Sequence, residues 1–264
     1  MKYPYIDPVI VQIGKIQVKW YGLMYIIGFL SAYFILRRNA KKGRIDLTTA
    51  EIGDFLTYCI AGVMIGGRVG YCIFYNFLFY LAHPLKVFAV WEGGMSFHGG
   101  AIGVIVAGWI FASVKKKPYL ALADMGALTA PVGIFFGRIG NFINGELYGR
   151  VTDVSWGMVF PGAGDLPRHP SQLYESFFEG LVLFLILTIL NNRIVPRGFI
   201  LGTFFLAYGL FRFFLEFFRE PDPQIGFFLN SFTMGQVLCS IMVACGIFIY
   251  WISLKIEKKV KVSH

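Results

Sequence analysis

Seven long apolar runs divide the chain, at residues 20–36, 52–75, 97–114, 122–137, 172–190, 199–217 and 234–254, separated by short polar or basic stretches. Each is close to the ~20 residues that an α-helix needs to cross a bilayer. None shows the strict polar/apolar alternation of a strand with one wet face. The pattern predicts an all-α polytopic membrane protein of about seven transmembrane helices, a single transmembrane domain over 1–264. Between the runs, 76–96 contains Pro84 and aromatics suited to an interfacial arm, and 141–171, rich in Gly, Pro and Asp, suits a small head segment. Pro170 followed by Ser171 reads as a helix start, with Ser171 as N-cap and Glu175 in the first turn.

Composition agrees: 56% of the 264 residues are hydrophobic, 18% aromatic and only 15% charged, too few charges to cover a water-facing surface. The net charge of +9 changes the picture only through its placement. Fourteen of the 24 Lys and Arg fall at 37–44, 115–117, 193–197 and 255–261. These clusters follow runs one, three, five and seven, so the positive-inside rule predicts an external N-terminus and an internal C-terminus. Basic residues that cluster mainly between the apolar runs, with no stripe of interleaved aromatics, argue against nucleic-acid binding. The first run lacks a basic leader and small-residue cleavage site, and is read as a mature helix. Cys59, Cys72, Cys239 and Cys245 each lie in an apolar run without metal-ligand spacing, so no metal site is expected.

Ionisable residues inside apolar runs are costly in lipid and mark functional candidates. Tyr21, Arg68, His98, Arg138, Arg212 and Glu216 all fall on the external side of the expected topology, which suggests one polar pocket at the depth of the outer headgroups. Tyr208, Arg212 and Glu216 are spaced four apart and share a helix face, with Arg219 a turn later. An Arg212–Glu216 salt bridge is the plain reading of that pair. It does not account for Arg68 and Arg138, which have no acidic residue within one helical turn and therefore ask for an anion, and a guanidinium fork fits a phosphate. His98, beside Gly99 and Gly100, has the titration range of a general base, although a lone histidine is often structural. There is no nucleophile elbow, no acid pair with glycosidase-like spacing and no metal-ligand cluster. Such a site would bind a phosphate ester, neutralise the departing phosphate and help an external nucleophile lose its proton.

The segment 137–150, Gly-Arg-Ile-Gly-Asn-Phe-Ile-Asn-Gly-Glu-Leu-Tyr-Gly-Arg, resembles the signature of the prolipoprotein diacylglyceryl transferase family. Segments 20–25, 93–100, 168–175 and 208–221 support the resemblance along the whole chain. It implies a bacterial inner-membrane enzyme that moves the diacylglyceryl group of phosphatidylglycerol onto the lipobox cysteine of a prolipoprotein, forming a thioether and releasing glycerol phosphate, without a cofactor. By resemblance Arg138 and Arg212 are essential, and Tyr21, His98, Asn141, Glu146, Gly149, Tyr208 and Glu216 important; Arg68 joins them from its place in the chain. Tyr148 stands where some members carry Trp, and the outer loop before Arg168 is shorter than in some relatives. A phospholipid or anion transporter is the alternative, and a structural membrane protein ranks last.

Overall fold

The computed structural model describes residues 1–14, 16–220, 227–228 and 232–262; Pro221, at the end of the last motif, and the terminal His264 lie outside them. Two compact units make up the fold, 1–34 with 124–264 and 35–123.

Among the described residues, six helices are long and apolar enough to cross a membrane, joined by the shorter apolar helix Phe199–Leu215. This is an all-α polytopic membrane protein. The spans are α1 (Trp20–Lys41), α2 (Thr49–Phe74), α4 (Phe97–Val114), α5 (Tyr119–Ile143), the composite helix α6 (Ser171–Glu175), a π-helical stretch (Ser176–Val182) and α7 (Leu183–Asn191), then α8 (Phe199–Leu215) and α9 (Met234–Val262). Many of their large apolar side chains, such as Ile26, Leu30, Phe34, Ile105, Trp109, Ile247 and Phe248, point outward and are exposed. That is the surface expected of helices solvated by hydrocarbon rather than water.

In the smaller unit, α2 begins with a capping box: Thr48 Oγ1 accepts the Glu51 N–H at 3.2 Å, and Glu51 Oε2 accepts the Thr48 N–H at 2.8 Å. Its apolar body packs on α4 backbone to backbone. A Cβ on Gly66 would stand 2.3 Å from the Gly99 carbonyl oxygen, and one on Gly103 2.0 Å from that of Gly62. Small residues at four-residue spacing allow this approach, the packing mode of helices that have no hydrophobic effect to drive them together. Ion pairs from Lys115 to Asp54 (2.8 Å) and Lys117 to Asp46 (2.9 Å) close the far end. The 76–96 stretch forms a short helix, α3 (Phe77–Ala82), and two 3₁₀ turns, with Phe77, Leu78, Leu81, Leu85, Phe88 and Trp91 exposed.

In the larger unit the polar start is ordered. Tyr3 donates to the carbonyls of Phe142 (2.5 Å) and Ile143 (2.8 Å), satisfying the end of α5, and the N-terminal ammonium donates to the Gly157 carbonyl. A hairpin of β1 (Val9–Ile13) and β2 (Ile16–Lys19) then leads into α1, an element the helical reading passed over. Asp124 on α5 accepts the N–H groups of Gly198 (2.7 Å) and Leu201 (2.8 Å) and so caps α8 from another helix. One expectation is corrected: Pro170, not Ser171, holds the N-cap of α6. Ser171 is the first helical residue, and its hydroxyl donates to the Leu147 carbonyl at 3.0 Å, tying the helix to the head segment.

Candidate functional site

Glu175, at the end of α6, is fully buried and gathers three arginines from two other parts of the larger unit. Its Oε2 lies 2.8 Å from Arg138 Nε on α5, and its Oε1 2.6 Å from Arg212 Nη1 on α8 and 3.2 Å from Arg219 Nη1 beyond it. Arg212 also pairs with Glu216, Nη2 to Oε2 at 2.8 Å, and Glu216 Oε1 accepts the Thr233 hydroxyl at 3.1 Å. One turn past Glu175, on the π-helical stretch, Glu179 is fully buried at 3.7 Å from Arg212 and 3.9 Å from Arg138. Tyr208, one turn before Arg212, borders Glu179 and both arginines, its ring stacked on Phe204 at 5.5 Å. Three guanidiniums and three carboxylates thus share one buried cluster.

The arginines are not sealed in. The side chains of Arg138 and Arg212 keep 19% and 14% of their surface, while Glu175 and Glu179 have none. The two side chains are thus held by carboxylates while keeping a small part of their surface, which places fixed donors where an anion could be bound.

Beside the cluster, the α5 terminus carries a second group. Asn141 and Asn144 both donate to Glu146 Oε1, at 2.8 and 3.1 Å, which orients an exposed carboxylate. The Tyr21 ring lies against Gly140, and its hydroxyl is 3.2 Å from that of Tyr25. Gly149 serves as a close packing point: a Cβ there would meet the Phe218 carbonyl oxygen at 2.3 Å and the His169 side chain at 2.8 Å, where Gly149 bridges Arg219. His169, at the end of the head segment, has its pKa lowered by burial, with Asp153 opposing the shift.

The remaining two candidates belong to the smaller unit. Arg68 is not short of partners, as its sequence surroundings had suggested. Its guanidinium donates to the carbonyls of Lys86 (2.6 Å), Val87 (2.8 Å), Gly93 (2.5 Å) and Gly94 (3.2 Å), and stacks over Tyr80. Arg68 is buried and pins the 83–94 stretch to α2. His98 is exposed in the first turn of α4, its ring edge-on to Phe97. A cavity of about 630 Å³ also runs along α2 and α4, lined by residues such as Ile65, Val69, Ile102 and Val106, and includes none of the charged candidates.

The premise that Arg138 has no acid close by holds only along its own helix, because Glu175 and Glu179 reach it from another. Neither acid was singled out as a site residue. The signal was present: two carboxylates four residues apart in an apolar run share a helix face.

Arginines gathered on buried carboxylates within apolar helices long enough to cross a bilayer define a membrane protein with a charged cluster inside its larger unit. The family model for prolipoprotein diacylglyceryl transferase matches residues 8–252, and the chain belongs to that family. Among similar proteins are three named phosphatidylglycerol–prolipoprotein diacylglyceryl transferase. That of Geobacter sulfurreducens is 56% identical over 94% of this chain and 95% of its own. Those of Desulfotalea psychrophila and Pseudoalteromonas translucida are 48% identical over 97% and 96%, and 52% identical over 94% and 92%, of the two chains respectively.

Proposed function

We propose that this protein transfers the diacylglyceryl group of phosphatidylglycerol to the lipobox cysteine of prolipoproteins. The observation that carries the reading is the Arg138–Arg212 pair, both held by the buried Glu175 and both keeping some exposed side-chain surface. A phosphodiester seated there accepts from both guanidiniums. As the cysteine sulfur attacks the glyceryl carbon, the C–S bond forms, the C–O bond breaks, and its electron pair passes to the phosphate oxygen that the arginines stabilise. Products are a thioether and glycerol phosphate. A thiol with an ordinary pKa of ~8.5 needs only modest help to become the stronger thiolate nucleophile; His98 is the candidate acceptor of its proton, and the neutral Tyr21 phenol a hydrogen-bonding partner in the same step. Asn141, Glu146, Tyr208 and Glu216 shape the headgroup site, and Gly149 holds its framework. The protein sits in the bacterial inner membrane with this site on the outer side, the 76–96 arm at the interface and the 141–171 segment as a small head.

The test supplies purified protein with phosphatidylglycerol and a lipobox peptide and follows peptide mass. A diacylglyceryl gain on the cysteine peptide, absent from its Cys→Ser counterpart, is the expected result. No gain with folded protein would overturn the proposal and bring phospholipid transport forward.

A further inference from the structure

The charge balance of the cluster leaves no room for its proposed ligand. Arg138, Arg212 and Arg219 face Glu175, Glu179 and Glu216, three charges of each sign among the described residues. Adding a phosphodiester brings one more negative charge into a site where charges are poorly screened. The six partners are not held equally. Glu175 touches all three arginines within 3.2 Å, and Glu216 has Arg212 at 2.8 Å and the Thr233 hydroxyl at 3.1 Å. Glu179 has no exposed surface, neither oxygen accepts a hydrogen bond, and its nearest guanidinium nitrogens stand at 3.7 and 3.9 Å. It also rides on a π-helical stretch, a geometry that recurs at functional sites. A buried carboxylate without a hydrogen bond is the member most easily made neutral.

We infer that Glu179 takes up one proton when a phosphodiester headgroup seats on Arg138 and Arg212, keeping the cluster electrically neutral. The other ionisable groups near it are Tyr208 on α8 and Cys239 on α9, besides the three arginines, Glu175 and Glu216. The inference rests on the proposed lipid site. Glu179 acts through the arginines, as a positioning residue.

The experiment measures binding of phosphatidylglycerol, without peptide and hence without turnover, to the full chain in zwitterionic nanodiscs from pH 6 to 9. Calorimetry in buffers of different ionisation enthalpy counts the protons exchanged. Wild type should take up about one proton per lipid on the alkaline side, its affinity falling up to about tenfold per pH unit there. Glu179→Gln, neutral at every pH, should bind with less than about twofold variation over the same range and take up none. Zero proton uptake by wild type at every pH overturns the inference with no variant needed, as does full pH dependence retained in Glu179→Gln. Failure of wild type to bind the lipid at any pH overturns the proposed site itself and the inference with it.

Discussion

Replacing Glu175 by Gln is the sharpest test of the cluster's architecture. The amide keeps the shape of the side chain and removes one negative charge, turning three against three into three guanidiniums against two carboxylates. Contacts of 2.8, 2.6 and 3.2 Å to Arg138, Arg212 and Arg219 lose their charge component together. At an effective dielectric constant of ~20, one such pair at ~4 Å between charge centres is worth ~4 kcal/mol, and the arginines' mutual repulsion is no longer offset. Removing one partner of a buried ion pair typically costs ~3–5 kcal/mol. Arg219→Ala, by contrast, removes one 3.2 Å contact from a carboxylate that keeps two others, and should cost ~1 kcal/mol. Thermal unfolding in detergent reads the difference: at ~2–4 °C per kcal/mol, Glu175→Gln should melt ~10 °C lower and Arg219→Ala only a few degrees lower. Transfer activity of Glu175→Gln, measured below its melting point, should fall at least ~100-fold because Arg138 and Arg212 both lose the carboxylate that positions them. A melting temperature within ~2 °C of wild type would refute the view that Glu175 is the hub.

Gly149→Ala places a methyl group 2.3 Å from a backbone carbonyl that cannot withdraw, so it should destabilise by ~1–3 kcal/mol and loosen the Arg219 bridge, seen as faster amide exchange around 149 and 219. Asp124→Ala uncaps α8 and should cost ~1–2 kcal/mol in thermal unfolding. Because burial lowers the His169 pKa, the folded state binds fewer protons there than the unfolded chain. Its contribution to stability is therefore present above the unfolded value of ~6.5 and lost as pH falls toward the lower folded value. Protection factors of the head-segment amides, taken against intrinsic exchange at each pH, should fall between pH 7 and 5, and less so in His169→Gln.

The membrane fold was legible because hydrocarbon imposes a coarse rule, a helix-length apolar run for every crossing, and 20–36 and 97–114 obey it plainly. The hairpin at 9–19 escaped because its few residues were read only as a polar lead-in to the first run. Arg138 and Arg212 could be named from the signature segment and the sixth run. Their pairing with Glu175 could not, because Glu175 lies 37 positions from Arg138 and no helical periodicity connects the two; only the Glu175–Glu179 spacing in an apolar run marked that acid. Arg68 shows the converse. A cation without nearby acids looks unsatisfied in sequence, yet main-chain carbonyls from residues 86, 87, 93 and 94 serve it, and such acceptors leave no mark in residue type.

The central claim, that Arg138 and Arg212 together hold the headgroup phosphate through their forked donors, is tested most directly by exchanging each for Lys, which keeps the charge and removes the fork. Steady-state transfer from phosphatidylglycerol to a lipobox peptide should then fall in kcat by ~100-fold or more for either variant, with melting temperatures still showing folded protein. Values within ~3-fold of wild type for both would contradict the claim and place the phosphate elsewhere.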